Sequence, residues 1–348
     1  TLTTTTVAGV EDSATSVAGV VSSISHGGGS DESGQTVTFV ATPANSAFFV
    51  EQPFITSTGT LKFRPAANTN GTTTVSVKAV DDGGVANGGT NGSPVQTLTI
   101  QVAGVNDPTV LTGLANRAIK EDAAATAITF KVSDVDNAAA SIVITASSSV
   151  PALVPNASLV PSGTTTNRTL TVTPVTNANG QATITVNAYD GTATTSGTFV
   201  LTVLPVNDAP TFTLTTTTVP ATENIAAQVL NFVPTSSKGG GSDENGQFLT
   251  YKLTATNPAL FVDQPEINNS GQLNFRLGSN VGVSSTTVSV QALDNGGLAN
   301  GGTNGSVSQT FTVVVTGVND PPVLEGLTGK AIKEDAAATA ITFKVSDV

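Results

Sequence analysis

The residues in this sequence best suited to chemistry are carboxylates and carboxamides, and they recur at fixed places. Asn-Asp pairs closed by proline occur three times, as Val105-Asn106-Asp107-Pro108, Val206-Asn207-Asp208-Ala209-Pro210 and Val318-Asn319-Asp320-Pro321. A second place holds Glu11-Asp12, Glu121-Asp122, Glu223-Asn224 and Glu334-Asp335. A third holds Asp31-Glu32, Asp134 with Asp136, Asp243-Glu244 and Asp347; a fourth holds Asp81-Asp82, Asp190 and Asp294. Of 25 acidic residues, only Glu51, Asp263, Glu266 and Glu325 fall outside this scheme. Carboxylates gathered within a few ångströms repel one another, and one of them takes up a proton unless a cation intervenes. Ca²⁺ matches such a donor set, since it takes 6–8 oxygen ligands, Asn and backbone carbonyls included, at about 2.3–2.6 Å. Mg²⁺ fits less well because it tends to keep its waters. Zinc would require His or Cys, and the chain has one histidine, His26, and no cysteine. A lone Asp at a strand end is ordinarily a solvated turn residue capping its own backbone; it is the recurrence of the whole set that points to an ion.

Composition narrows the classes further. A net charge of −12 argues against a nucleic-acid footprint and against a general hold on anionic membranes. Abundant Gly, Thr, Asn, Ser and Val suit strands and turns. No apolar run approaches the ~20 residues needed to span a membrane as a helix. Without a nucleophile–base pair, the sequence is read as non-enzymatic. The first residues carry no signal-peptide pattern, so the chain reads as a processed product or as a piece of something longer.

The elements that must position these oxygens are strands. Leu98, Ile100 and Val102 alternate with Thr99 and Gln101 just before the first Asn-Asp pair, the pattern of a half-buried strand. Proline then ends each strand. Turn signals every 8–12 residues and about seven short strands per ~100 residues predict antiparallel β-sandwiches. Thr1–Val7 recurs as Thr213–Val219, an offset of 212, and Ala118–Val135 repeats unchanged over 18 residues as Ala331–Val348. The expected organisation is therefore a type A domain (1–106), a type B domain (107–208), a second type A (209–319) and the start of a second type B (320–348). The predicted fold class is all-β: tandem Ig-like sandwiches arranged end to end. The acids that end the penultimate strand and the joint Asp of one domain lie, on this reading, at its exit end, where they can converge with the Asp31-, Asp134-, Asp243- or Asp347-type acids at the entry end of the next domain.

The joint motif, the Ala188-Tyr189-Asp190-Gly191 step, Asp134-Val135-Asp136, and Asn177-Ala178-Asn179-Gly180 echoed by Asn68-Thr69-Asn70-Gly71 resemble the cadherin-like tandem repeats of large bacterial surface adhesins. That resemblance implies Ca²⁺ between successive domains. Carried over by position, it implies Glu11, Asp81, Asn106, Asp107, Asp134 and Asp136 at the first joint. It implies Glu121, Asp190, Asn207, Asp208 and Asp243 at the second, and Glu223, Asp294, Asn319, Asp320 and Asp347 at the third. Type A departs from the pattern with Ser33 or Asn245 where the second Asp of a pair belongs, so the second joint is expected to bind fewer or weaker ions.

Two functions follow as expectations. The first is a structural segment of an extracellular bacterial cell-surface adhesin or stalk, stiffened by Ca²⁺ at its joints, whose partners are neighbouring domains of the array and a cell-surface ligand or identical chains. The alternative is a self-assembling surface filament or layer in which a neighbouring chain completes the unfinished fourth domain by strand addition. The Gly-rich stretches 81–92 and 294–305 read as mobile hairpin tips, where Gly and Asn supply positive φ.

Overall fold

The computed structural model describes residues 1–347; Val348, within the expected start of a second type B domain, lies outside them. The chain is all-β, with short 3-10 turns and no α-helix among the described residues. Among the described residues, no helix is long and apolar enough to cross a membrane.

Three two-sheet units follow one another. In the first, one sheet runs Thr6–Val10, Gln96–Ala103, Gly71–Asp81, Val37–Pro43, and the facing sheet runs Thr15–Val17, Leu61–Pro65, Phe49–Ile55. The third unit repeats this order with Thr218–Thr222, Gln309–Thr316, Ser284–Leu293, Thr250–Ala255 against Ala226–Val229, Leu273–Leu277, Phe261–Ile267. The middle unit has four strands per sheet, with Val143–Ser148, Gly180–Tyr189, Thr194–Leu204, Arg117–Lys120 facing Leu159–Ser162, Asn167–Val172, Thr126–Ser133, Val110–Thr112. Beyond it, Val323–Glu325 pairs with Lys344–Ser346, and all six of these residues are exposed.

Period-2 alternation decides which side chains enter each core. Leu61, Phe63 and Pro65 are buried while Lys62 and Arg64 between them are exposed. Each unit fills its own core: Leu61, Phe63, Leu98 and Ile100 in the first, Leu170, Ile184 and Leu201 in the second, and Phe232, Leu273 and Phe311 in the third. Edge-on aromatic pairs recur in the type A units, with Phe49–Phe63 centroids 5.8 Å apart and Phe261–Phe275 5.6 Å apart.

Strand direction then fixes which acids share an end. The first strand of each unit runs parallel to the last (Thr6 beside Thr99, Arg117 beside Leu201, Thr218 beside Thr312). Glu11, Glu121 and Glu223, which follow those first strands, therefore stand at the trailing end beside the joint. The penultimate strand runs antiparallel to the last, pairing Gly71 with Val102 at one end, while its other end pairs Asp81 with Val37. Its final residues thus lie at the leading end of their own unit. This corrects the expected placement of Asp81, Asp190 and Asp294: none sits at the joint that follows it.

Because the cores are separate, a cavity in one should leave the others intact. Leu170→Ala, at a fully buried position, is expected to cost about 2–5 kcal/mol and to lower only the type B transition. Differential scanning calorimetry that shows both type A transitions unmoved would bear this out.

Candidate metal centres at the joints

The backbone builds the same socket after each first strand. The residue following the key glutamate adopts a left-handed conformation in every copy: Asp12 at φ 61°, Asp122 at 57°, Asn224 at 64°. Asp and Asn tolerate this region better than other non-glycine residues. The chain turns there, and the preceding glutamate is buried facing the joint. Glu11 Oε1 accepts the Val105 N–H at 2.5 Å, Glu121 Oε1 accepts the Val206 N–H at 2.6 Å, and Glu223 Oε1 accepts the Val318 N–H. One oxygen of each glutamate thus fixes the path of its linker.

At the first joint the remaining oxygens converge. Glu11, Asp12 and Asp107 each present an oxygen within 4.8 Å of the others, a geometry that could hold a metal ion. Glu11 Oε2 and Asp107 Oδ2 are buried and have no hydrogen-bond partner. The Asp107 N–H donates to Asp136 Oδ2 at 2.7 Å, drawing the second unit's acidic loop against the linker. Asp134 accepts from Thr109 Oγ1 at 2.8 Å and from the N–H groups of Asp136 and Asn137. Asn106 Nδ2 donates to Asp190 Oδ2 at 3.0 Å, so Asp190 belongs to this joint and not to the second.

The electrostatics follow the geometry. Loss of hydration first, then the charges of Asp12, Asp136, Glu11 and Asp134, hold Asp107 above its ordinary pKa. Burial pushes Asp134 the same way, but the donors from Thr109, Asp136 and Asn137 outweigh it and leave that group below its ordinary value.

The second joint is built from different partners. Glu121 Oε2 accepts from Asn179 Nδ2 at 3.2 Å, and the same Nδ2 reaches Asp243 Oδ1 at 2.8 Å across the joint. Asp122 Oδ1 accepts the Asn177 N–H. Asn207 Nδ2 donates to Asp294 Oδ1 at 3.0 Å, which places Asp294 here and not at the third joint. The Asp208 N–H donates to Glu244 Oε1 at 3.2 Å, so Glu244 occupies the role that Asp136 has at the first joint. The expectation that type A lacks a second acid at this place is corrected accordingly; the adjacent Glu, not residue 245, supplies it. Glu244 Oε2 and Asp294 Oδ2 are buried without partners. Burial is the leading cause that holds Glu121, Asp208 and Glu244 above their ordinary pKa, with Asp243 adding to all three, and hydrogen bonds offset it only in part.

At the third joint, no cluster of acids gathers among the described residues. Both Glu223 oxygens are taken by backbone, Oε1 by Val318 and Oε2 by the N–H groups of Val281 (2.9 Å) and Gly282 (3.4 Å). These bonds, Val318 first, hold its pKa below the ordinary value. Asn319 and Asp347 are exposed, and neither they nor Asp320 form a side-chain hydrogen bond among the described residues. Asp81 stands at the leading end of the first unit, where its Oδ1 accepts the Gly83 N–H.

A hard divalent cation fits the first joint, where three carboxylates gather; at the second joint orphaned oxygens occur without a cluster of that kind among the described residues. Buried acceptors without partners cost free energy and are rare. Glu11 Oε2, Asp107 Oδ2, Glu244 Oε2 and Asp294 Oδ2 all lie at these two joints. The donors are carboxylate and carboxamide oxygens, the type Ca²⁺ takes.

No protein-family model and no curated protein sequence matches the chain. Among solved structures, Drosophila N-cadherin EC1-4 is similar at 15% identity over 82% of this chain and 67% of that one, with a TM-score of 0.41. Mouse protocadherin-24 EC1-3 is similar at 16% identity over 91% and 98%, also with a TM-score of 0.41. The protocadherin γB4 extracellular domain is similar at 17% identity over 87% of this chain, which spans 47% of that structure, with a TM-score of 0.40.

The raised groups have a signed consequence for the metal-free chain. A carboxylate whose folded pKa is raised loses its stabilising contribution as pH climbs from the ordinary carboxylate value through the raised one. Asp134, Asp190 and Glu223, held low, act oppositely and lose theirs as pH falls through their depressed values. In chelator, the melting temperature should therefore be higher in mildly acidic buffer than at neutrality. Asp107→Asn should raise the neutral-pH value and flatten the dependence. Melting curves of both proteins at several pH values test this, and an Asp107→Asn chain that melts lower in chelator at neutral pH would contradict it.

Proposed function

We propose that this chain is a non-catalytic structural segment of an extracellular adhesin or stalk on a bacterial surface, in which Ca²⁺ at the joints aligns successive sandwich domains spanning 1–106, 107–208 and 209–319. The observation that carries the reading is the convergence of Glu11, Asp12 and Asp107 with two buried oxygens left unpartnered. Such a cluster holds its acids together only against their mutual repulsion. A bound cation reverses the sign of that interaction, and its oxygens then come from the preceding domain, the linker and, through Asp136, the following domain. An ion held this way opposes bending at the joint.

Glu11 and Asp12 would supply the preceding domain's oxygens, Asp107 the linker's, and Asp134 and Asp136 those of the following domain. At the second joint, Glu121, Asp122, Asp208, Asp243, Glu244, Asn207 and Asp294 are the corresponding set. The separate cores suit a load-bearing array, since each domain keeps its own fold while the joints set the shape. Partners in this reading are the adjoining domains and a surface ligand or identical chains.

Ca²⁺ that binds only the aligned folded state stabilises it by mass action, by about 2.7 kcal/mol at a hundredfold excess over Kd. Titration calorimetry on the metal-free chain should show a heat of Ca²⁺ binding, and chelator should lower the melting temperature. Asp107→Ala should remove the first-joint component of that heat and leave the second. No binding heat in the intact chain would reject the proposal.

A further inference from the structure

The Gly-rich hairpins remain without a role in the account above, and the two share one turn. Ala86–Gly88 and Ala299–Gly301 form the same 3-10 turn, with Asn87 at φ 55° and Asn300 at φ 56°. In the third unit this hairpin lies against the linker from the middle unit. Asn300 Nδ2 donates to the Pro205 carbonyl at 2.8 Å. The Thr303 N–H donates to the Asn207 carbonyl at 2.8 Å, and the Thr303 carbonyl accepts from Asn207 Nδ2 at the same distance. Gln247 Nε2 completes the hold on Asn207 by donating to its Oδ1 at 2.7 Å. Asn207 is thereby fixed at its backbone carbonyl and at both side-chain polar atoms.

Glycine makes this approach possible. A Cβ on Gly302 would stand 2.8 Å from both the Asn207 N and Cβ, closer than real Cβ contacts allow. On the other side of the joint, a Cβ on Gly241 would stand 2.9 Å from the Asn177 carbonyl oxygen, so the loop at 239–241 also packs directly on the middle unit. The first joint has no such clasp. The type B unit that follows it carries the short Asp190-Gly191 turn in place of the long hairpin. Among the described residues, no hydrogen bond runs from residues 1–105 to residues 107–208; Asn106 to Asp190 and the Asp107 N–H to Asp136 are linker contacts.

We infer that the 294–305 hairpin is a metal-independent clasp that docks on the Pro205–Asn207 linker, so that B-to-A joints stay aligned without calcium while A-to-B joints depend on it. The array then has stiff two-domain B–A segments joined by calcium-dependent hinges. This rests on the proposed calcium at the first joint; the clasp itself rests on direct protein contacts.

The chain has no cysteine, so double-cysteine spin labelling of the intact protein reads each joint separately. Ser76→Cys with Thr145→Cys spans the first joint, and Thr145→Cys with Lys252→Cys spans the second; all three positions are exposed. In Ca²⁺ both pairs should give one narrow distance peak. In EGTA the first pair should lose that peak and the second should keep it. Gly302→Ala should abolish the second pair's narrow peak in EGTA. Gly89→Ala should not, because a Cβ there meets only its own hairpin, at the Ala86 carbonyl. Asn300→Gly, which deletes the bond to Pro205 at an exposed position whose φ of 56° glycine adopts freely, should repeat the Gly302→Ala result with each domain's melting unchanged. A second joint that loosens in EGTA alongside the first, or that stays narrow in both Gly302→Ala and Asn300→Gly, overturns the clasp. A first joint with the same distribution in Ca²⁺ and EGTA overturns the calcium reading and the asymmetry with it, while the two clasp variants still report on the second joint.

Discussion

Like charges held in one place are the constraint on which the joints depend. Glu11 is fully buried, yet only one of its oxygens is satisfied. Its neighbours Asp12 and Asp107 bring further negative charge to the same few ångströms. A fold driven only by burial and hydrogen bonding would splay these groups into water. Here the first strand ends in a left-handed turn, the glutamate is clamped to its linker, and the linker N–H is tied to the next unit's acidic loop. Each contact is ordinary; together they hold the carboxylates close.

The second constraint is strand direction. With the first strand parallel to the last and the penultimate strand antiparallel to it, every unit carries a glutamate at its trailing end and an aspartate with an acidic loop at its leading end. Laid end to end, such units bring complementary acidic faces to every joint without any further device. After Val318, Glu223 turns both oxygens to backbone donors, Oε1 to Val318 and Oε2 to Val281.

Much of this was legible in the residues. The alternation of Leu98, Ile100 and Val102 gave a strand, the repeat gave the order of units, and Glu11, Asp107, Asp134 and Asp136 were placed together at the first joint. Asp81, Asp190 and Asp294 were placed at the wrong ends because the direction of the penultimate strand was not followed through; an antiparallel neighbour of the last strand must finish where its unit begins. Asp12 and Asp122 were seen as members of a pair but not as ligand candidates, since the left-handed turn that aims them is a backbone property that sequence spacing does not display. Spacing alone points to residue 245, but Asp243–Gly246 forms a 3-10 turn that buries Glu244 instead, a local winding that the Asp134-Val135-Asp136 pattern does not display. The hairpin at 294–305 looked like a free tip because its composition reports positive φ and says nothing of what it rests on.

Anomalous scattering from crystals grown with calcium tests the central claim most directly. The account predicts a strong peak at the first joint, within coordination distance of oxygens from Glu11, Asp12 and Asp107, and a second near Glu244 and Asp208. Density in which these carboxylates point apart into water, with no peak between them, would contradict it.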